Sequence, residues 1–192
     1  MRVIAGIYRS RILKSLKGLA LRPTSDRLRE TLFNVLGDAL DGARFIDVFA
    51  GTGAVGIEAL SRGANEVVFI ENHAPAAALI RRNLESLGIR SGTTVLAADA
   101  LRGLEKLAAK HRPGEPAYDL VFIDPPYAAA QEYAQVLRFL GMTSILAPDA
   151  RVIVEHRKNV ELPESPGTLR RTRVLRQGDA ALSFYSVETS PS

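Results

Sequence analysis

The sequence predicts an α/β fold with a mostly parallel sheet that ends in an antiparallel hairpin. Short apolar segments typical of buried strands alternate with segments in which apolar residues recur at helical spacing. Such alternation is typical of parallel strands joined by right-handed crossovers, with helices on both faces of the sheet. Near the carboxyl terminus two strand-like segments are separated only by Gly178-Asp179, which is too short for a parallel connection and predicts the hairpin.

The elements can be placed in order along the chain. Thr24-Ser25-Asp26 offers a helix cap, and the apolar residues after it predict a first helix that ends at Gly42. The predicted strands are 45–49, 66–71, 93–97, 119–124, 151–155, 169–177 and 180–188, and the later helices are 54–61, 74–87, 101–109 and 131–140.

Composition narrows the class of protein. The 192 residues are 46% hydrophobic and 24% charged, which suits one domain with an appendage. No apolar segment is long enough to span a membrane and no export signal is recognisable, so we expect a cytoplasmic protein without membrane contact. We also expect a monomer. The chain has no cysteine, and its three histidines lack the spacing of metal ligands, so we expect no disulfide and no metal.

Positive charge is concentrated at the amino terminus. The first thirty residues contain eight Lys or Arg against Asp26 and Glu30, although the whole chain carries a net charge of only +4. We therefore predict a basic arm over residues 1–23, forming a β-hairpin, ahead of a domain over residues 24–188. Such an arm suits a polyanion, although a charged segment by itself is equally compatible with a solvated surface.

A glycine-rich turn follows the first predicted strand. Gly51, Gly53 and Gly56 match a dinucleotide-binding fingerprint, and glycines there let the backbone approach a ligand. Asp47 argues against NAD, because its charge would face a pyrophosphate, and it favours the cationic sulfonium of S-adenosylmethionine. Glu71 closes the second strand, where an acid can accept hydrogen bonds from both ribose hydroxyls. A purely structural turn, capped by Asp47, is the alternative.

The third predicted strand ends just before Asp99, where a carboxylate or the adjoining backbone amide could bind an adenine amino group. The predicted cofactor-binding residues are Asp47, Phe49, Gly51, Gly53, Glu71, Asn72, Asp99 and Ala100.

The segment Asp124-Pro125-Pro126-Tyr127 comes directly after a buried apolar strand and predicts the reaction site. Two prolines remove two backbone donors, which leaves the Pro125 carbonyl able to accept a hydrogen bond from a ligand. A carboxylate, an open carbonyl and an aromatic ring can together hold a planar amino group and stack on its base. Asp124, Pro125 and Tyr127 are therefore the predicted catalytic residues, although Asp124 alone could be a strand-end cap and Tyr127 a core aromatic.

Four blocks of the chain carry a family resemblance. They are residues 2–6 with Arg9 and Arg11, residues 22–34, residues 47–53 and residues 124–127. With them the chain resembles the bacterial small-subunit (16S) ribosomal RNA guanine-N2 methyltransferases of the D type. The block over residues 22–34 is the specific part, because the Asp-Pro-Pro-Tyr motif is shared with adenine, cytosine and protein-glutamine methyltransferases.

The resemblance implies a Rossmann-like class I methyltransferase fold, S-adenosylmethionine as cofactor, and methyl transfer to the exocyclic N2 amine of a guanine in 16S rRNA. The partner would be small-subunit rRNA or the assembling 30S particle. The arm and the residues directly after it would contact RNA through five arginines, namely Arg9, Arg11, Arg22, Arg27 and Arg29. One departure is Gln177-Gly178, where such enzymes often have Tyr-Gly before the last strand.

Three other functions remain open from the sequence. The same chemistry could act on adenine or cytosine of DNA or RNA, or on a protein glutamine. The chain could instead be a non-catalytic RNA-binding assembly factor, which would have no need of intact Asp47, Glu71, Asp124 and Tyr127 together. An NAD-dependent dehydrogenase is the third alternative.

Overall fold

The computed structural model describes residues 1–15, 25–125 and 130–188. The chain divides into two compact units, one from Met1 to Asp99 and the other from Ala100 onward. The described part of the basic arm, residues 1–15, belongs to the first unit. Within the described ranges, no helix is both long and apolar enough to cross a membrane.

The first unit is built on three parallel strands in the order β3-β2-β1. Its strands are β1 (Arg44–Val48), β2 (Glu66–Glu71) and β3 (Thr93–Ala97), and its helices are α1 (Asp26–Leu36), α2 (Ala54–Ser61) and α3 (Ala74–Ser86). Because β1 and β2 run in the same direction, with Val48 paired to Ile70, their carboxyl ends lie at the same edge. The glycine turn after β1 and the Glu71 side chain therefore meet.

The second unit combines parallel and antiparallel strands in the order β4-β5-β7-β6. Its elements are α4 (Ala100–Lys110), β4 (Tyr118–Ile123), α5 (Ala130–Leu140), β5 (Leu146–Arg157), β6 (Leu169–Gln177) and β7 (Ala180–Val187). Strands β4 and β5 are parallel, whereas β7 pairs antiparallel with both β5 and β6. Parallel strands followed by a terminal hairpin confirm the predicted fold class.

Two element boundaries differ from the sequence prediction by more than two residues. The first helix ends at Leu36 instead of continuing to Gly42, because Gly37 adopts a left-handed φ of 51° and a 3-10 turn follows. Strand β5 begins at Leu146, five residues earlier than predicted. It contains Pro148, which reads as a turn residue in sequence, and the β4–β5 ladder is irregular at this place.

Residues 1–13 of the arm fold back on themselves. Arg2 and Ile12 form an isolated antiparallel bridge. The Val3 N–H donates to the Arg11 carbonyl at 3.0 Å, and the Leu13 N–H donates to the Met1 carbonyl at 3.0 Å. The side chains of Val3 and Leu13 are buried, so this part of the arm is packed within the first unit.

Helix α2 packs against β2 through a glycine. All eight residues of α2 are buried. An ideal Cβ on Gly56 would overlap the ring of Phe69 and lie 2.8 Å from Cγ1 of Val67. Gly56 therefore allows α2 to pack closely against β2, which is the role of the third glycine in dinucleotide-binding fingerprints.

We expect Gly56→Ala to lower the free energy of unfolding by about 1–3 kcal/mol, because overpacking outweighs the helix-propensity gain of about 1 kcal/mol. Urea denaturation measures the change. The control is the same substitution in a Phe69→Leu background, in which the smaller side chain should reduce the penalty. An equal penalty in both backgrounds would contradict the steric explanation.

Candidate functional site

The glycine turn between β1 and α2 has a backbone that ordinary residues avoid. Gly51 and Gly53 have φ values of 55° and 77°, and Gly53 is the N-cap of α2. Phe49 has a φ of 63° although it carries a full side chain. A left-handed non-glycine residue costs about 1 kcal/mol or more and persists only where neighbouring contacts enforce it, which is frequent at ligand sites.

Glu71 holds this turn in place. One carboxylate oxygen, Oε2, accepts the Gly51 N–H at 2.7 Å, and the other, Oε1, accepts the His73 N–H at 2.8 Å. The residue is only 7% exposed. Each carboxylate oxygen can accept a second hydrogen bond, so Glu71 can still bind the hydroxyls of a ligand. Bracing the turn is a role that the sequence did not reveal.

Asp47 is a buried carboxyl at the base of the same turn. Its Oδ2 accepts the Gly56 N–H at 2.8 Å, and the residue is 2% exposed. The pKa of Asp47 is raised to about 7, chiefly because burial disfavours the charged carboxylate. The hydrogen bond from Gly56 opposes this rise in pKa, and the negative charge of Glu71 contributes to it. The two carboxyl groups therefore repel each other, and a bound cation would relieve that repulsion.

The remaining predicted cofactor residues in the first unit follow the ends of β2 and β3. Asn72 and Asp99 are both exposed. The Ala98 N–H donates to the Glu71 carbonyl at 3.1 Å, which ties the segment after β3 to the end of β2. The structure thus brings the predicted residues Asp47, Phe49, Gly51, Gly53, Glu71, Asn72 and Asp99 to one edge of the parallel strands. Ala100 is the buried first residue of α4, in the second unit.

The predicted acceptor motif follows β4 in the second unit. Asp124 is half-buried and Pro125 is buried, and both come directly after the apolar residues that end the strand. Pro126 and Tyr127 lie outside the described residues. Within the ranges that the structure describes, no cluster of His, Asp and Glu is suited to a metal ion.

Three of the five arginines predicted to meet RNA have exposed side chains, namely Arg9, Arg11 and Arg27. One guanidinium nitrogen of Arg11, Nη2, donates to the Ser86 carbonyl at 3.3 Å. Arg22 lies outside the described residues. The exposed arginines belong to the arm and to the first turn of α1, so both segments present positive charge to solvent.

The prediction that Arg29 contacts RNA is corrected by the structure. Its side chain is fully buried, and Nη2 donates to the Arg2 carbonyl at 2.7 Å and to the Asp26 carboxylate at 2.9 Å. Burial lowers the pKa of the guanidinium. A group enclosed in this way cannot reach a phosphate. Arg29 lies on α1 four residues before the buried Phe33, and therefore on the same face of the helix. This spacing was the sequence signal that Arg29 would be buried.

Three buried polar residues that hold the arm were not predicted, because in the sequence they look like ordinary helix residues. Glu58 and Ser61 lie on α2, and Asn83 lies on the apolar side of α3 beside Ile80 and Leu84. All three are buried and bond to the backbone of the arm. Each is a polar residue at a helix position that the apolar spacing places on the buried face, and this pattern could have identified it in the sequence.

We expect Asp47→Asn to raise the free energy of unfolding at neutral pH. The unfolded carboxyl ionises near its ordinary pKa of 3.8, whereas the folded one ionises near 7, so wild-type protein loses stability as the pH rises from about 4 to about 7. The loss is up to about 4 kcal/mol. Asparagine keeps an acceptor for the Gly56 N–H and removes the charge.

Urea denaturation between pH 4.5 and pH 8 tests this difference, with the exposed Asp38→Asn as the control. The stability gap between Asp47→Asn and wild type should widen with pH, while the gap for Asp38→Asn should stay constant. A gap for Asp47→Asn that does not change with pH would contradict the stated cause.

Comparison with known proteins places the chain in a family. The family model for conserved hypothetical protein 95 matches residues 1–186. The structure of a methyltransferase candidate, yhhF from Escherichia coli, has a TM-score of 0.83 and 30% sequence identity, and the match covers 99% of both chains. The match therefore spans nearly the full length of both chains.

Curated relatives agree with this match. The rRNA methyltransferase candidate YlbH from Bacillus subtilis is 37% identical over 185 residues, which is 96% of this chain and 98% of the relative. Ribosomal RNA small subunit methyltransferase D from Haemophilus influenzae is 36% identical over 162 residues, which is 84% of this chain and 81% of the relative. The chain therefore belongs to the conserved hypothetical protein 95 family, together with the ribosomal RNA small subunit methyltransferase D proteins.

Proposed function

We propose that this protein transfers a methyl group from S-adenosylmethionine to the exocyclic N2 amine of a guanine in small-subunit ribosomal RNA. The observation that carries the proposal is the glycine turn with two buried carboxyl groups, Asp47 and Glu71. A pyrophosphate would add negative charge beside them, whereas a sulfonium and an amino group add positive charge. This balance favours S-adenosylmethionine over a dinucleotide.

The residues of the turn can hold each part of that cofactor. Among the described residues, apart from the two chain neighbours of Gly51, the Phe49 carbonyl oxygen at 4.0 Å is the only atom within 4 Å of an ideal Cβ on Gly51. The described residues therefore leave open space beside this glycine. Glu71 would accept the ribose hydroxyls, and the exposed Asp99 would bind the adenine amino group. Phe49, Gly53, Asn72 and Ala100 complete the proposed cofactor-binding set.

S-adenosylmethionine supplies an electrophilic methyl group on its positively charged sulfur. The guanine amine is a weak nucleophile, because its lone pair is delocalised into the ring. In the proposal the Asp124 carboxylate and the Pro125 carbonyl each accept one N–H of the amine. These two hydrogen bonds bend the nitrogen toward tetrahedral geometry, aim its lone pair at the methyl group and stabilise the charge that develops on nitrogen.

The proton that leaves the methylated nitrogen is accepted by Asp124, directly or through water. Tyr127 would stack on the extruded base and offset part of an unstacking cost of a few kcal/mol. The bond from sulfur to the methyl carbon breaks as the bond from nitrogen to that carbon forms, and the sulfur keeps the electron pair. No metal or redox partner is needed to balance this step.

An rRNA acceptor is supported by the relatives and by the arm. Proteins named ribosomal RNA small subunit methyltransferase D match this chain with 33–36% identity in two bacteria. The exposed Arg9, Arg11 and Arg27 can contact RNA phosphates. Such contacts position a protein on RNA without reading sequence, so we expect the shape of the RNA or of the particle to supply selectivity.

The deciding experiment is transfer of a labelled methyl group from S-adenosylmethionine to small ribosomal subunits that lack the modification. Naked small-subunit rRNA is tested in parallel, and nucleoside mass spectrometry identifies the product. N2-methylguanosine would support both acceptor and reaction. A methylated adenine, cytosine or glutamine would instead indicate the same chemistry on another acceptor, and RNA binding without transfer would indicate an assembly factor.

We expect Asp124→Ala to lower turnover by about 100-fold or more, because the amine loses both a hydrogen-bond acceptor and its proton acceptor. Cofactor affinity, measured by calorimetry, should stay within about threefold of wild type. Asp149→Ala, which removes an exposed carboxylate on β5, is the matched control and should keep full activity. If Asp124→Ala abolished cofactor binding as well, Asp124 would be reassigned to the cofactor site.

Joint replacement of Arg9, Arg11 and Arg27 by alanine should weaken RNA binding and reduce its dependence on salt concentration, because up to three phosphate contacts are lost. Binding is measured by titration at several salt concentrations. The control variant removes three charges from α4, at Arg102, Lys106 and Lys110. Equal salt dependence in the arm variant and wild type would exclude the proposed role of these arginines.

A further inference from the structure

A single buried side chain connects the arm with the glycine turn. Asn83 of α3 is fully buried. Its carbonyl oxygen Oδ1 accepts the Lys14 N–H at 2.9 Å. Its amide nitrogen Nδ2 donates to the Lys14 carbonyl at 3.2 Å and to the Thr52 carbonyl at 3.1 Å. Both amide hydrogens are therefore used, one for each segment.

On the cofactor side, Thr52 is the central residue of the turn. It lies between Gly51 and Gly53 and is 8% exposed. Its carbonyl belongs to the same peptide unit as the Gly53 N–H, which donates to the Ala50 carbonyl at 2.7 Å. Asn83 thus holds one end of a peptide plane whose other end is already fixed. A ligand that moves or orders the turn must also act on the Asn83 amide.

On the arm side, Lys14 stands at the base of the hairpin, next to the buried Leu13. The two hydrogen bonds between Lys14 and Asn83 hold both the N–H and the carbonyl of the Lys14 backbone. The rest of the hairpin is held separately by α2. Glu58 accepts the Ile4 and Ala5 N–H groups at 2.7 and 2.9 Å, and Ser61 Oγ accepts the Tyr8 N–H at 2.9 Å.

We propose that Asn83 is a positioning residue that couples cofactor binding at the glycine turn to the order of the RNA-contacting arm. The inference rests on the proposed function, because it takes the Gly51-Thr52-Gly53 turn as the S-adenosylmethionine site. The two N–H groups of a buried amide can each bond a different segment, and one of these hydrogen bonds is lost when either segment shifts. A buried N–H group without an acceptor costs free energy. Ordering the turn therefore orders Lys14, and by linkage an ordered arm strengthens cofactor binding.

The chemistry of the side chain matters for this coupling. Asparagine supplies one acceptor and two donors, and all three are used. Asn83→Leu removes every bond at similar volume, and Asn83→Asp keeps the acceptor for the Lys14 N–H but loses both donors. Ser61→Ala is the matched control, because Ser61 is also buried and also bonds the arm, at the Tyr8 N–H and the Ala5 carbonyl, but none of its bonds reaches the turn.

The test is amide hydrogen exchange at Leu13 and Lys14, measured with and without saturating S-adenosylmethionine and without RNA. In wild-type protein we expect the cofactor to slow exchange of the Lys14 amide by about fivefold or more. Ser61→Ala should retain this slowing, although its hairpin exchanges faster. Asn83→Leu should bind cofactor more weakly and show no slowing at saturation. Asn83→Asp is the second variant with the same expectation, and circular dichroism verifies that each variant is folded.

Unchanged Lys14 exchange in wild-type protein at proven cofactor saturation would overturn the inference, whatever the variants do. Slowing in Asn83→Leu or Asn83→Asp equal to that in wild type would also overturn it, because the arm would then respond without the side chain. These results are distinct from failure of the proposed function. Absence of cofactor binding to wild type would overturn both proposals, whereas binding and methyl transfer without a change in exchange would overturn only this one.

Discussion

The structure of the first unit depends on two buried carboxyl groups that hold one turn. Glu71 accepts the N–H groups of Gly51 and His73, and Asp47 accepts the N–H of Gly56. These bonds satisfy backbone donors that a left-handed turn leaves without strand or helix partners. They also keep two like charges close together, which burial makes more costly. A site of this kind is stabilised by a ligand that carries positive charge.

The same turn also organises the arm. It leads into α2, a helix buried along its whole length, and the polar side chains of α2 bond the backbone of the hairpin. Gly6 approaches α2 so closely that a Cβ there would overlap the Ser61 carbonyl. Residues 1–15 of the arm are therefore an integral part of the first unit, which would hold the proposed RNA contacts in a fixed geometry.

The arginines of the amino-terminal region are of two kinds, exposed and buried, which their charge alone does not distinguish. Arg9, Arg11 and Arg27 are exposed. Arg29 is enclosed by Met1, Arg2 and Asp26, where its planar group joins α1 to the first residues of the chain. A buried guanidinium needs such partners, because it would otherwise be an uncompensated charge. The buried arginine thus supports the surface that the exposed ones form.

The sequence by itself determined the alternation of strands and helices, the glycine turn, and the carboxylates at strand ends. Each of these features follows from a local pattern, namely the spacing of apolar residues, the position of glycines or the position of acidic residues. Burial of the apolar face stabilises the corresponding helix or strand wherever the segment packs. Only the tertiary structure decided that Arg29 is enclosed, that Glu71 braces the turn, and that Asn83 joins Lys14 to Thr52. Asn83 lies 69 residues from Lys14 and 31 from Thr52, so no local pattern encodes those bonds, and packing of α3 against the arm and the turn creates them.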